Sequence, residues 1–241
     1  MLDNGIRLAA LYSVGCPELV QMNLDSALWS FVVGEPTASI SAESARGILE
    51  KLDPFVFYQL IAFAVNEKDC FSESVVRAHW LGNGALNPVQ DSDVKQVLTD
   101  LSSRDSLDVH KLAALALKLR GLIGFVPHHN FCVLQLFAGL KKRGKIPERI
   151  ITEADRCLVK PGKVVSKSGG LFGVKNLVLV PGSDGGLDVN VRVAMVDSRL
   201  ISDAAPVFVS THLGRVREAI SEEDSQKLEN LLLEAVDFSN K

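Results

Sequence analysis

Residues 157–165 read Cys-Leu-Val-Lys-Pro-Gly-Lys-Val-Val, and this stretch decides the fold predicted for the C-terminal part of the chain. Its β-branched residues favour a strand, and Pro161-Gly162 is a dipeptide typical of turns. The pattern therefore predicts Cys157 at the start of a strand, ahead of a turn. A second run, residues 207–214, reads Val-Phe-Val-Ser-Thr-His-Leu-Gly and places His212 near the end of another strand. A soft thiolate and an imidazole that converge in a small β domain can hold a metal fragment or position a partner.

The segment from Cys157 to Leu213 predicts short strands separated by turns. Val189, Val191, Val193 and Met195 alternate with other residues, the period-two pattern of a half-buried strand. Glycine and proline pairs mark the turns, and short strands of this kind favour a small barrel, because closure removes exposed edges. Ser221 then caps a final helix with acidic residues in its first turn. The apolar residues of that helix fall on one face and predict packing onto the barrel: Leu228, Leu231, Leu232, Ala235 and Val236.

Residues 1–146 have helical spacing. Ser41 is predicted to cap a helix that ends near Leu52, and Pro54 suits the first turn of the next helix. Ser72 precedes another helix, which Gly82-Asn83-Gly84 ends. Further helices are predicted over residues 91–101, 106–119 and about 131–142. The fold class is therefore α+β with two domains: an all-α domain over residues 1–150 and a β-barrel with a C-terminal helix over residues 151–241. The predicted boundary lies within residues 144–154.

Composition excludes several classes of function. The 26 basic and 29 acidic residues give a net charge of −3, which offers no electrostatic basis for binding nucleic acid. No apolar run is long enough to span a bilayer, and the N-terminus lacks a signal-peptide pattern. The four cysteines are too irregularly spaced for a disulfide framework or a four-cysteine zinc site: Cys16, Cys70, Cys132 and Cys157. We therefore expect a cytoplasmic protein with reduced thiols and no nucleic-acid or membrane partner.

A second constellation of metal-binding residue types lies at His128, His129 and Cys132. If Asn130 caps the helix that follows, both histidines lie in the preceding loop and Cys132 lies in the first helical turn. Three nitrogen and sulfur donors within five residues suit zinc or iron, although no fourth ligand lies nearby. A metal-dependent enzyme built on these three residues is one hypothesis. The alternative is that a histidine hydrogen-bonds to backbone at a domain junction.

The segment from Cys157 to about Val236 resembles the HypC/HupF family of NiFe-hydrogenase maturation chaperones. The family opens with Cys-Leu-x-x-Pro-Gly-Lys-Val, which here is Cys157 to Val164, and later carries a strand ending in His-x-Gly, here His212 to Gly214. An acidic-capped helix follows in both. The resemblance implies an OB-like β-barrel and a non-enzymatic carrier. The whole chain also resembles a group of uncharacterised bacterial proteins, through Trp80-Leu-Gly-Asn83 and Pro127-His-His-Asn-Phe131.

Members of the HypC/HupF family bind an iron fragment that carries cyanide and carbon monoxide, together with a partner maturation protein. They deliver it to the precursor of the hydrogenase large subunit. By this resemblance Cys157 is the iron-contacting thiol and His212 is a second ligand or an orienting group. Pro161 and Gly162 would shape the turn that presents the thiol.

This chain departs from the family in one respect. The family's cysteine stands at the mature N-terminus, whereas here Arg156 and a whole helical region precede Cys157. The neighbouring Arg156 is expected to lower the pKa of the thiol. The alternative hypothesis is a protein-interaction module that kept the barrel and lost the metal chemistry.

Overall fold

The computed structural model describes residues 3–34, 40–87, 92, 126–137, 146–199, 201 and 206–241. Helices come first along the chain and strands follow, so the predicted α+β class is confirmed. The helices predicted over residues 91–101 and 106–119 lie outside the described residues except for residue 92, as does the predicted helix end near residue 142. No helix within the described ranges is both long and apolar enough to cross a membrane.

The helices that precede the sheet are mostly short. Ser41 and Ser72 cap two of them as predicted, because their hydroxyl oxygens accept the N–H groups of Ser44 and Val75. Gly82 ends one helix with a φ of +80°, a conformation that favours glycine. The helices are α1 (Asp3–Ser13), α2 (Pro17–Gln21), α3 (Asp25–Val33), α4 (Ala42–Leu49), α5 (Pro54–Ala64), α6 (Glu73–Leu81), α7 (His129–Leu134) and α8 (Glu148–Cys157), with 3₁₀ turns at Gly84–Leu86 and Gln135–Phe137.

Helix α8 was not predicted, and it changes the position of Cys157. The thiol-bearing residue is the last residue of α8, and the first strand begins only at Lys160. The prediction that Cys157 starts a strand is therefore wrong. Ile151 and Ala154 are buried at helical spacing, and this pattern extends the helix up to the cysteine.

Five strands form one sheet that closes on itself in the order β1-β2-β3-β5-β4, with β4 pairing back to β1. All neighbouring pairs are antiparallel except β3 and β5, which meet in parallel at a single residue pair, Asp197 and Arg215. Two-residue turns join β1 to β2 and β4 to β5, and both of their residues have positive φ. The strands are β1 (Lys160–Ser168), β2 (Leu171–Pro181), β3 (Leu187–Asp197), β4 (Phe208–His212) and β5 (Arg215–Ala219).

Pro161 and Gly162 lie within β1, so the prediction of a turn at this dipeptide is wrong. Gly162 stands opposite Asn176 on one side and Val209 on the other. A Cβ atom at residue 162 would lie 2.2 Å from Cγ1 of Val174, which is closer than real contacts allow. The glycine is needed for close packing across the sheet.

Strand β3 was predicted correctly, and Val189 on its predicted half-buried face is partly buried, but the rest of that face is exposed. Val191, Val193 and Met195 are 49%, 61% and 53% exposed. Their alternation identifies a strand but carries no information about what covers it. The pairing of β3 with β5 is limited to Asp197, so most of the outer edge of β3 has no strand beside it among the residues described.

The sheet and the helices share their apolar cores. One buried cluster runs through α1, α3, α4, α5 and α6 and includes Val159 and Leu228. A second cluster joins α7, α8 and β2 to the C-terminal helix, α9 (Glu222–Ser239). The Ser221 hydroxyl accepts the Asp224 N–H at 3.0 Å, which confirms the predicted cap. The predicted apolar face of α9 is buried at Leu228, Leu232, Ala235 and Val236, and Leu231 is partly buried.

Buried hydrogen bonds fix α1 against the sheet. Arg217, which is 1% exposed, donates to the carbonyl oxygens of Leu11, Val14 and His212. Such contacts place the C-terminal end of α1 beside the turn between β4 and β5. The division into domains at residue 150 stays a prediction.

Candidate functional site

One cavity brings together most of the residues that the sequence marked for chemistry. It has a volume of about 440 Å³ and lies where α2, α5, α6, α7 and α8 meet the end of β4. Six of the nine cysteine and histidine residues of the chain line it, among 19 lining residues in the described part of the chain. The lining consists of Cys16, Cys132, Cys157, His79, His129 and His212, the apolar residues Pro17, Leu52, Pro54, Phe57, Val133, Phe137, Ile150, Ala154 and Leu213, and the polar residues Glu18, Asp53, Gln135 and Glu153.

Cys157 reaches this cavity from the C-terminal end of α8. Its backbone carbonyl oxygen accepts a hydrogen bond from Nε2 of His129 at 2.9 Å. The carbonyl is free for this bond because the helix ends here and Leu158 is extended. The bond ties α8 to α7 beside the thiol.

His212 reaches the cavity from the last position of β4. Its Nδ1–H donates to the carbonyl oxygen of Tyr12 at 2.9 Å, and the residue is 2% exposed. Leu213, the next residue, has a φ of +53°, and its N–H donates to the carbonyl oxygen of Arg156 at 2.9 Å. This bond joins the histidine-bearing turn to the cysteine-bearing helix, so the structure brings Cys157 and His212 to one cavity as the sequence predicted.

The structure separates the residues of the second candidate site, His128, His129 and Cys132. His128, not Asn130, is the N-cap of α7, because its Nδ1 accepts the Asn130 N–H at 3.2 Å. His129 is the first helical residue and lines the cavity with Cys132, whereas His128 is fully buried outside the cavity lining. The predicted cap at Asn130 and the predicted loop position of His129 are therefore wrong. His128, His129 and Cys132 do not share one site.

Asn130 has a structural role in place of the predicted cap. Its Nδ2 donates to the carbonyl oxygen of Val159 at 2.8 Å, and its Oδ1 accepts the Val159 N–H at 2.9 Å. Both residues are completely buried. This paired bond fixes α7 to the segment that leads from Cys157 into β1.

Pro161 and Gly162 lie away from the cavity that Cys157 lines. They line a separate surface depression with Lys163, Lys175 and Phe208. The thiol is presented by the end of α8, so these two residues do not shape a turn around it.

An aromatic cluster surrounds the imidazoles. The ring of His129 lies 4.3 Å from that of Trp80, 5.1 Å from that of His212 and 5.6 Å from that of His79, measured between centroids. Tyr12 stacks on Trp80 at 5.0 Å. The rings of four separate elements, α1, α6, α7 and β4, are therefore packed against one another at the cavity.

Burial keeps the cavity histidines neutral. It lowers the pKa of His129 to about 4 and holds the pKa values of His79 and His212 well below 6.5. A neutral imidazole has one nitrogen lone pair free to accept a proton, a hydrogen bond or a metal.

Burial has the opposite effect on the thiols, because it disfavours the thiolate. It raises the pKa of Cys16 to about 12 and also raises that of Cys157. Arg156 lowers the pKa of Cys157, as expected from the sequence, but burial and Glu153 outweigh it. The expected net lowering is therefore wrong.

Two lining residues were missed by the sequence reading. Cys16 precedes α2, 141 positions before Cys157, and no local motif connects them. The second is His79 on α6, which is fully buried. Its Nδ1–H donates to the carbonyl oxygen of Pro127 at 2.8 Å, a contact between distant segments that helical spacing does not predict.

Among the residues that the structure describes, no group of three or more histidine, cysteine or acidic side chains is placed to hold a metal ion. The cavity therefore gathers donor atoms without forming a closed coordination shell.

The comparison with curated proteins gave no match, and neither did the comparison with solved structures. A family model described as a family of unknown function, DUF6390, matches residues 44–241. The matched range includes five of the six cysteine and histidine residues of the cavity, and only Cys16 precedes it. The chain belongs to this family of unknown function, DUF6390.

Proposed function

We propose that this protein is an auxiliary factor of NiFe-hydrogenase maturation that carries an iron fragment in the cavity lined by Cys157. The observation that carries the proposal is the concentration of six of the nine cysteine and histidine residues around one cavity of about 440 Å³. Thiolate and imidazole are both donors that bind iron in proteins.

The fold of the C-terminal part supports the same proposal. A five-stranded sheet that closes through β1 and β4, followed by a packed helix, fits the OB-like barrel implied by the resemblance to the HypC/HupF family. We also propose that this sheet is a HypC-like barrel.

The proposed cargo needs only one or two donor atoms from the protein. An iron fragment that already carries cyanide and carbon monoxide has few coordination positions left, so one thiolate with one further donor holds it. Cys157 must lose its proton to bind iron, and burial raises its pKa, so iron binding releases a proton at neutral pH. Removing this proton from the thiol costs binding free energy and weakens the binding of iron. Weaker binding suits a carrier that later releases its cargo.

The helical region takes the place of the free chain end found in the HypC/HupF family. Cys16 and Pro17 at the start of α2, and Phe57 on α5, form walls of the cavity. These helices limit the approach to the thiol, and a maturation protein or the large-subunit precursor would exchange cargo through the opening that remains.

The test is co-expression with hydrogenase maturation proteins, followed by iron analysis and infrared spectroscopy of the purified chain. We expect bound iron and bands for cyanide and carbon monoxide in the wild type, and their loss in Cys157→Ala. Cys70→Ala is the matched control, because Cys70 is also partly buried but does not line the cavity. Equal iron and equal bands in wild type and Cys157→Ala would overturn the carrier function.

The same experiment separates the two alternatives. An interaction module without metal chemistry predicts a maturation partner that co-purifies with Cys157→Ala and no iron in any variant. A metal-dependent enzyme based on His128, His129 and Cys132 predicts metal that is lost in His128→Phe. His128 lies outside the cavity, so the carrier proposal expects this variant to keep its cargo.

A further inference from the structure

His79 lines the cavity and has a buried ring nitrogen without a hydrogen-bond partner in the described part of the chain. The residue is 0% exposed, packs against His129 and lines the same cavity as Cys157. Its Nδ1 is bonded to the Pro127 carbonyl oxygen at 2.8 Å, while its Nε2 has no partner among the residues described. Buried polar atoms are nearly always paired, and an exception calls for a missing water, ion or ligand.

The bond to Pro127 fixes the tautomer of His79. A carbonyl oxygen only accepts, so the proton lies on Nδ1 and the lone pair lies on Nε2. Histidines that bind metals have this arrangement, in which one ring nitrogen donates to a carbonyl and the other coordinates. The ring is also held by Phe57, which stacks on it at 5.4 Å, and by Tyr58 at 5.3 Å.

The other two cavity histidines, like His79, each use one ring nitrogen in a hydrogen bond to a backbone carbonyl oxygen. Nε2 of His129 already donates to the Cys157 carbonyl oxygen. His212 donates from Nδ1 to the carbonyl oxygen of Tyr12. Among the three cavity histidines, His79 is the one whose second ring nitrogen is buried without a hydrogen-bond partner in the described residues.

We propose that Nε2 of His79 is the nitrogen donor that contacts the metal fragment in the cavity, with Cys157 as the sulfur donor. This inference rests on the proposed carrier function and specifies its ligand set. His79 binds through a lone pair that is already free, so its bond displaces one labile ligand of the metal and releases no proton. Cys157 gives its thiol proton to solvent when its sulfur bonds to the metal.

The probe is the triaqua tricarbonyl cation of rhenium(I), which has three carbonyl ligands and three labile waters. It resembles a metal carbonyl fragment with open positions and does not depend on co-expressed partners. Mass spectrometry of digested wild type should locate rhenium on the peptide that contains His79, with carbonyl bands in the infrared. His79→Phe should reduce the bound rhenium by about 10-fold or more.

His128→Phe is the matched control, because His128 is equally buried and its Nε2 also lacks a partner, but it does not line the cavity. Circular dichroism shows whether each variant is folded. The peptide map of the wild type tests the inference even if a variant does not fold. Equal labelling of folded His79→Phe and wild type would overturn the inference, and so would a wild-type map without rhenium on the His79 peptide. Rhenium on His79 together with no iron fragment in the co-expressed protein would leave the ligand assignment standing and overturn the iron cargo.

Discussion

Nε2 of His129 donates a hydrogen bond to the backbone carbonyl oxygen of Cys157, and the two atoms are 2.9 Å apart. The sequence places these residues in separate candidate sites, 28 positions apart. In the folded chain they belong to the same cavity, because α7 and α8 bring their ends together. The bond holds the cysteine at the end of its helix and orients the imidazole beside it.

Replacing His129 should loosen the end of α8. His129→Phe keeps an aromatic ring beside Trp80 but leaves the Cys157 carbonyl without its donor, and we expect it to lower the free energy of unfolding by about 1–3 kcal/mol. Urea unfolding followed by circular dichroism measures the change. His129→Gln retains a donor and should lose less, whereas equal losses for both variants would contradict a role for the hydrogen bond.

Substitution of Asn130 should lower the free energy of unfolding more than substitution of most other polar residues. Asn130→Leu leaves the N–H and the carbonyl oxygen of Val159 buried without partners, so we expect a loss of roughly 2–5 kcal/mol in the free energy of unfolding. The exposed Asn190 provides the control, and Asn190→Leu should change stability by less than about 0.5 kcal/mol. Similar values for the two variants in urea titrations would rule out the paired bond as a stabilising contact.

Arg217 should be needed to hold α1 against the sheet. Arg217→Met removes three donors from the carbonyl oxygens of Leu11, Val14 and His212, and we expect a loss of roughly 3–5 kcal/mol. Arg217→Lys keeps the charge but cannot reach three acceptors with the same geometry. Its free energy of unfolding should therefore lie between those of the wild type and Arg217→Met. Thermal and urea unfolding measure both variants, and a loss below about 1 kcal/mol for Arg217→Met would contradict this account.

The buried histidines should make stability depend on pH. Folding lowers the pKa of His129 to about 4 and that of His128 to about 3, from an ordinary value of 6.5. Below pH 6.5 the unfolded chain binds protons that the folded chain does not, so the free energy of unfolding should fall by up to about 1.4 kcal/mol per pH unit for each histidine. Urea titrations between pH 7.5 and 5 test this above the range of ordinary carboxyl groups. His129→Gln should reduce the slope, and a flat profile in the wild type would contradict neutral buried imidazoles.

The cavity thiols should react slowly in the folded protein. With its pKa raised to about 12, Cys16 should be alkylated by iodoacetamide at pH 8 on the order of 10³-fold more slowly than an ordinary thiol, because the thiolate is the nucleophile. Mass spectrometry of labelled peptides gives the rate at each cysteine. The same protein in urea is the control, and rapid labelling of folded Cys16 at pH 8 would contradict its burial.

Local patterns in the sequence predicted the local structure well. Ser41, Ser72 and Ser221 cap helices because a hydroxyl before an apolar helical pattern has a short-range function. The alternation over residues 189–195 likewise predicted β3. These features depend on neighbours within a few positions, so a single sequence is enough to find them.

Most of the candidate site could not be predicted from the sequence, because it depends on contacts between residues that are far apart in the chain. Cys16, His79 and Cys157 meet because Arg217, Asn130 and Leu213 join α1, α7 and α8 to the ends of strands. The Pro161-Gly162 turn failed for a similar reason, since the close approach of Val174 accounts for the glycine. Exposure of Val193 on β3 also depends on the strands around it, which periodicity does not describe.

The most direct measurement is X-ray absorption at the iron edge of the chain purified after co-expression with hydrogenase maturation proteins. The account predicts iron with a sulfur neighbour at roughly 2.3 Å in the wild type and in Cys70→Ala. Cys157→Ala should lose the sulfur shell together with most of its iron. Iron that has no sulfur neighbour, or that keeps it in Cys157→Ala, would contradict the claim that Cys157 holds the cargo, as would a wild-type protein without iron.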